Sequence, residues 1–148
     1  MAEVKGVRAP VDDRDREPCE GVPMRVLVVD DEESVRTMLE MVLGFEDLDV
    51  TVASDGHEAL TLARFDPPDV IVLDIMMPRM DGWMVADEVR SDPVLHRIPI
   101  VFCSALTGEG HREEARQRGG EYVTKPFHTD ELVTAVLRAA DRPPLATR

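Results

Sequence analysis

Cysteine and clustered positive charge are scarce in this sequence, and their scarcity excludes several classes of protein. The two cysteines are Cys19, in a polar stretch, and Cys103, in an apolar run, and neither belongs to a CxxC motif or a Cys/His cluster. They therefore offer neither a disulfide framework nor a metal-binding pattern. Acids outnumber lysine and arginine by 30 to 17, for a net charge of −13. Phosphate contacts need clustered cations, so we expect no direct binding of nucleic acid.

Long apolar runs are missing as well. No segment has the roughly 20 consecutive apolar residues of a transmembrane helix. The first twenty residues carry acids and bases where a signal peptide would have an apolar centre. We therefore expect a cytoplasmic protein without membrane contacts.

The length of 148 residues fits one domain with a sizeable core. Residues 1–23 combine prolines with mixed charges and show no apolar periodicity, which predicts a flexible N-terminal tail. The domain is predicted at residues 24–140 and a C-terminal tail at residues 141–148.

Five short apolar runs, rich in β-branched residues, alternate with five segments of helical periodicity. Strands are predicted at residues 25–29, 48–53, 70–73, 99–103 and 121–124, with the third and fourth helices at 82–91 and 107–118. Asp55 and Glu58 have the spacing of a capping box at the second helix, and Thr129 is predicted to cap the last. The predicted inward-facing residues are Val35, Met38, Leu39, Val42, Leu43, Ala59, Leu60, Ala63, Met84 or Val85, Val89, Leu132, Val133, Val136 and Leu137.

This alternation predicts an α/β fold. Right-handed crossovers would give a doubly wound, five-stranded parallel sheet with helices on both faces, flavodoxin-like in the order 2-1-3-4-5. Polar residues follow the strands at the end where such sheets bind ligands: Asp30 and Asp31, Asp74, Ser104 and Lys125. The switch point lies between strands one and three, so Asp74 is predicted to share a cleft with the Asp30-Asp31 pair.

Clustered carboxylates repel one another and are relieved by a shared proton or by a hard divalent cation such as Mg²⁺. A lysine and a hydroxyl facing the same point would supply a positive charge and a donor to a transferring phosphoryl group. Asp74 could then act as a nucleophile and form an acyl phosphate. Simpler interpretations stay open: Asp74 as a turn or cap residue, Asp30-Asp31 as a solvated helix start, Lys125 as a surface lysine, and Ser104 as a turn residue.

Four motifs carry a resemblance to a known family. They are Val29-Asp30-Asp31-Glu32, Leu73-Asp74-Ile75-Met76-Met77-Pro78 with Asp81-Gly82, Ser104-Ala105, and Tyr122-Val123-Thr124-Lys125-Pro126-Phe127. In this order and spacing the chain resembles the response-regulator receiver family of two-component signalling, typified by the chemotaxis regulator, over about residues 24–140.

The resemblance implies a role for each site residue. Asp74 would be the phosphoacceptor for a sensor histidine kinase or a histidine phosphotransfer protein. Asp31, Asp74 and the backbone carbonyl of Met76 would bind Mg²⁺, or Mn²⁺, directly, and Asp30 would act through water. Lys125 would contact the phosphoryl group, Ser104 would move toward it, and the ring of Tyr122 would swing inward. The peptide bond before Pro126 is typically cis in the family.

The resemblance also implies an output by protein contact. An unknown downstream protein would bind the face formed by helix four, strand five and helix five, and the protein would phosphorylate and dephosphorylate only itself. Met76 and Leu106 stand at two variable positions that flank the phosphoryl group in receivers. Both are apolar and cannot position water by hydrogen bonding, which predicts slow hydrolysis of the aspartyl phosphate. Tyr122 could also serve simply as a packing residue.

Several alternatives remain at this point. The chain ends soon after the last helix, which favours a stand-alone receiver. The runner-up is a receiver segment of a larger regulator or hybrid kinase, with Pro143-Pro144 beginning a linker. A haloacid-dehalogenase-type phosphatase also uses an aspartate nucleophile, Mg²⁺ and a lysine, but its Asp-x-Asp motif after the first strand is not found here. A flavodoxin-like cofactor site would place a phosphate beside four consecutive acids, which would repel it.

Overall fold

The computed structural model describes residues 23–141. Cys19 and most of the two predicted tails lie outside this range. The elements in chain order are β1 (Arg25–Val29), α1 (Glu33–Gly44), β2 (Asp49–Ala53), α2 (Gly56–Phe65), β3 (Val70–Leu73), α3 (Gly82–Ser91), β4 (Ile100–Ser104), α4 (Glu109–Gln117), β5 (Glu121–Thr124) and α5 (Thr129–Ala140).

The five strands form one parallel sheet in the order β2-β1-β3-β4-β5, as predicted. The interior strand β1 pairs with both β2 and β3, and Val29 lies opposite Ala53 on one side and Leu73 on the other. Because these partners are the last residues of their strands, the residues that follow β1 and β3 leave the sheet side by side.

Helices cover both faces of the sheet. Buried side chains of α2, α3 and α4 pack on one face with Leu27 and Val29 of β1. Those of α1 and α5 pack on the other face with Val26 and Val28. Successive residues of the strand therefore enter two separate cores, which explains why the runs are continuously apolar instead of alternating.

Three predictions about the helical faces need correction or refinement. Leu137 was expected inside but is 41% exposed, because α5 turns Leu132, Ala135, Val136 and Ala139 toward the sheet. Met38 is likewise 42% exposed, while Leu39 and Leu43 hold α1 in the core. In α3, Val85 is the buried residue of the pair Met84 and Val85, and Met84 faces outward.

Helix starts were predicted with mixed success. Asp55 caps α2 by accepting a hydrogen bond from the Glu58 N–H at 2.8 Å, and Glu58 accepts from the Ser54 N–H at 2.7 Å. Thr129 is not the cap of α5, because His128 occupies that position and its carbonyl already accepts from the Glu131 and Leu132 N–H groups. The fourth helix begins at Glu109, two residues later than predicted, since Gly108 has a left-handed φ of 116°.

Within residues 23–141, every helix is too short or too polar to cross a bilayer.

Candidate functional site

Three carboxylates meet at the carboxyl ends of β1 and β3. Backbone hydrogen bonds continue the sheet one residue past each strand, from the Asp30 N–H to the Ala53 carbonyl (3.2 Å) and from the Asp74 N–H to the Val29 carbonyl (2.9 Å). Asp30 and Asp74 are buried, whereas Asp31 is exposed. One carboxylate oxygen from each of the three lies within 4.8 Å of the others. The predicted convergence of these acids is confirmed.

Lys125 points into this acidic cluster from the end of β5. Its Nζ donates to Oδ2 of Asp30 at 2.8 Å and lies 3.8 Å from Oδ1 of Asp74. Its backbone N–H donates to the Ser104 carbonyl at 2.8 Å, and the Lys125-Pro126 peptide bond is cis, as the family resemblance implied. Lys125 is the only lysine in residues 23–141.

Burial and charge shift the ionisation of this cluster. Burial raises the pKa of Asp74 to about 6, and the neighbouring charges of Asp30 and Asp31 add to the rise. Lys125 and the Met76 N–H act in the opposite direction. Burial alone would lower the pKa of Lys125, but its hydrogen bond to Asp30 and the charge of Asp74 outweigh this and raise it. The site thus pairs a firmly charged ammonium with a carboxylate that loses its proton late.

Hydrogen-bond donors from the following loops and from α1 hold Asp30 and Asp74 in place. Oδ1 of Asp30 accepts from the Glu32 N–H at 2.9 Å, so both oxygens of Asp30 have protein donors. Arg36 of α1 donates to the Asp30 carbonyl at 2.8 Å. The Met76 N–H reaches Oδ1 of Asp74 at a long 3.3 Å.

The loop from β3 to α3 runs close to the phosphoacceptor candidate. The Gly82 N–H donates to the Ile75 carbonyl at 2.8 Å, and a Cβ on Gly82 would lie 2.4 Å from the backbone oxygen of Asp74. Asp81 caps α3 by accepting from the Met84 N–H at 2.9 Å. Asp81-Gly82 therefore starts a helix and also lets its backbone pass against Asp74.

Ser104 and Tyr122 lie on the β4 and β5 side of the site. Ser104 is fully buried, and its Oγ is 3.4 Å from the Leu106 N–H. The half-buried Tyr122 donates its hydroxyl to the Leu106 carbonyl at 2.6 Å. Burial raises the pKa of the Tyr122 phenol, while the Ser104 hydroxyl and the Arg112 guanidinium act against that rise. Tyr122 is therefore tied to the loop that follows Ser104.

Arg36 and Arg112 were missed by the sequence reasoning. Arg112 lies over the ring of Tyr122, with its Cζ 5.5 Å from the ring centroid. Neither arginine stands within a motif, and both are found only once the helices are placed on the sheet. Trp83, beside Asp81-Gly82, packs against Phe102 with a centroid separation of 4.8 Å.

The donor set of the cluster fits a hard divalent cation. It consists of carboxylate oxygens from Asp30, Asp31 and Asp74, close enough together to share one ion, and Mg²⁺ prefers oxygen ligands. Few carboxylates leave room for the several waters and phosphate oxygens that complete the coordination of Mg²⁺. The site can therefore hold such an ion through these residues.

Comparison with known proteins agrees with the geometry. The family model described as the response regulator receiver domain matches residues 26–137. A probable transcriptional regulator, ycf27, of Guillardia theta is 43% identical over 122 residues, which cover 80% of this chain and 47% of that protein. Response regulator PleD of Caulobacter vibrioides is 41% identical over 119 residues, which cover 80% of this chain and 26% of that protein. The chain spans about half or less of the length of such curated relatives.

Solved structures are similar over nearly their whole length. A putative response regulator from Chloroflexus aurantiacus has a TM-score of 0.77 at 32% identity, covering 82% of this chain and 100% of that one. The chemotaxis protein CheY4 of Vibrio cholerae has a TM-score of 0.75 at 31% identity, covering 80% and 99%. Sheet order, site geometry and sequence match lead to the same conclusion: this chain belongs to the response regulator receiver domain family.

Proposed function

We propose that this receiver accepts a phosphoryl group on Asp74 from the phosphohistidine of a sensor histidine kinase or a histidine phosphotransfer protein. The observation that carries the proposal is the buried carboxylate of Asp74 between two further acids, with the Lys125 ammonium 3.8 Å away. A surface aspartate in a turn would have neither this burial nor these neighbours.

In the proposed step, a carboxylate oxygen of Asp74 attacks the phosphorus atom. A P–O bond forms, the P–N bond to the donor imidazole breaks, and its electron pair stays on the imidazole nitrogen. The ionised carboxylate needs no separate general base. Lys125 offers positive charge to the phosphoryl oxygens, and the hydroxyl of Ser104 offers a hydrogen-bond donor.

The same residues support a role for Mg²⁺, with Mn²⁺ as a substitute. Asp31, Asp74 and the Met76 carbonyl would bind the ion directly. Asp30 would act through water, which fits the protein donors already held by both of its oxygens. When bound, the ion supplies positive charge that stabilises the transferring phosphoryl group.

The output would be a change in protein contacts. Ser104 would move toward the phosphoryl group, Tyr122 would respond, and an unknown downstream protein would bind the face of α4, β5 and α5. The receiver family is not one of turnover enzymes acting on external substrates, which leaves no support for the phosphatase alternative. We further propose a cytoplasmic location, with no direct contact to nucleic acid or membrane.

The receiver could act alone or within a larger regulator. A stand-alone function fits the likeness to CheY4, which is a chemotaxis protein of similar extent. A segment of a larger regulator fits the curated relatives, of which the chain spans 26% to 52%. The chemistry at Asp74 is the same in both.

Intact mass after incubation with acetyl phosphate and Mg²⁺ tests the proposal. We expect one added phosphoryl group, abolished in Asp74→Asn and by EDTA. Asp47→Asn is the matched control, because it removes one negative charge at an exposed turn and should leave labelling unchanged. Equal labelling of Asp74→Asn and the wild type would refute the proposed phosphoacceptor.

A further inference from the structure

Helix α4 is attached to the domain by little apolar contact. Its one buried residue is Ala115, and its remaining side chains in residues 109–117 are mostly charged. Gly108 at its start provides no side-chain cap, and the first backbone bond, from the Arg112 N–H to the Gly108 carbonyl, is a long 3.4 Å. Polar side-chain contacts must therefore contribute much of what holds the first turns of α4 in place.

Arg112 makes two such contacts, both with β5. Its Nη2 donates to Oγ1 of Thr124 at 3.1 Å, and its guanidinium covers the ring of Tyr122. One guanidinium makes both contacts, since its planar, delocalised charge can lie over an aromatic ring while one of its N–H groups donates to a nearby oxygen. Arg112 thus joins α4 to the residue that holds the loop after Ser104.

We propose that Arg112 is a positioning residue that keeps the Tyr122 hydroxyl on the Leu106 carbonyl, so that α4 and the Ser104 end of the site respond together. The chain of contacts is continuous: Arg112 covers the Tyr122 ring, Tyr122 donates to Leu106 at 2.6 Å, and Leu106 stands two residues after Ser104. This inference rests on the proposed function, because it concerns how the phosphoryl site communicates with α4.

The coupling works in both directions. In this proposal the Tyr122 contact holds the loop after Ser104 in the position that an occupied site needs, and occupation of the site must then favour that contact by the same factor. The interaction energy of a cation with an accessible aromatic ring changes an equilibrium constant by about two- to fivefold. Loss of the guanidinium should therefore weaken binding of a phosphoryl analogue by about that factor.

Titration with beryllofluoride, a phosphoryl analogue, in the presence of Mg²⁺ tests this. We expect Arg112→Ala to weaken binding and Arg112→Lys to restore it only in part. Arg116→Ala is the control, because Arg116 lies on the same helix but pairs with Glu113. In a Tyr122→Phe background, the further substitution Arg112→Ala should have no additional effect, since the hydroxyl through which Arg112 acts is gone.

Amide hydrogen exchange of residues 105–112 provides a second measurement that needs no phosphoryl chemistry. Arg112→Ala should speed exchange there in the free protein, and the increase should vanish in the Tyr122→Phe background. Equal effects of Arg112→Ala and Arg116→Ala, or effects that add fully to those of Tyr122→Phe, would overturn the inference. Failure of the wild type to bind beryllofluoride would count against the proposed function, while the exchange result would still decide the role of Arg112.

Discussion

Replacing Asp74 by asparagine should stabilise the metal-free protein near pH 8. The folded state holds the Asp74 proton up to a pKa of about 6, against an ordinary value of 3.8. Below pH 4 the carboxyl group is protonated in the folded and the unfolded chain alike. As the pH rises from about 4 to about 6, the unfolded chain releases this proton more readily than the folded protein, so the free energy of unfolding falls. A difference of about two pH units corresponds to about 3 kcal/mol of unfolding free energy.

Solvent screening reduces this figure little, because Asp74 is only 6% exposed. An asparagine of the same shape removes the buried charge, although its amide must find a hydrogen bond and returns part of the gain. We therefore expect the Asp74→Asn variant to be about 2 kcal/mol more stable than the wild type above pH 7. Near pH 4, where the wild-type carboxyl is protonated in the folded state, this gain should be absent and the variant should be no more stable than the wild type.

Urea unfolding in EDTA at a series of pH values measures this directly. Asp47→Asn removes the same formal charge from an exposed position with a left-handed φ of 62°, which asparagine tolerates, and it should show no such pH dependence. Saturating Mg²⁺ should stabilise the wild type more than Asp74→Asn, because the ion needs the carboxylate. The reasoning would be refuted if Asp74→Asn were no more stable than the wild type at pH 8. It would also be refuted if the difference in unfolding free energy between the two proteins were the same at every pH.

Three further predictions concern single positions. Gly82→Ala should destabilise the fold by about 3 kcal/mol or more, because its Cβ meets the backbone of Asp74 at 2.4 Å. Gly110→Ala, with no atom within 4 Å of its Cβ, should be neutral or stabilising, and thermal unfolding of both variants compares them. Hydrolysis of the aspartyl phosphate should be slow, and Met76→Asn should speed it severalfold, because Met76 is 57% exposed and an amide there can orient water. Loss of label from the wild type as fast as from the variant, measured in Mg²⁺ buffer, would contradict this. Trp83 fluorescence should change on titration with Mg²⁺, and an unchanged spectrum up to saturation would show that its packing is independent of the site.

Sheet order and the converging site could be predicted because both follow from the strands. A run that is apolar at every position, such as Val70–Leu73, is typical of a strand buried on both faces, and the alternation of five such runs with helices favours a parallel sheet between helices. Once the order is known, the residues after each strand lie at one edge. Asp30, Asp74 and Lys125 then need no further information to be brought together.

Details of helix packing could not be obtained in this way. The hydrophobic periodicity predicted that Leu137 is buried, but α5 turns Ala135 and Ala139 toward the sheet instead. Small residues let a helix approach a sheet closely, and a pattern of hydrophobic residues does not show this. The contact of Arg112 with Tyr122 depends on how α4 lies along β5. The charged sequence of α4 by itself indicates only a helix face exposed to solvent.

Because residues 23–141 contain a single lysine, the reactivity of its amine can be used to measure the charge state of the acidic cleft. Lys125 is one of only two lysines in the whole chain, its side chain is 20% exposed, and its raised pKa leaves little free amine to react. Acylation of the Lys125 amine would therefore be slow. Its rate would depend on the charges of Asp30 and Asp74, because these charges raise the pKa of the amine. Mass spectrometry of that single peptide could follow the electrostatic state of the acidic cleft without any introduced dye.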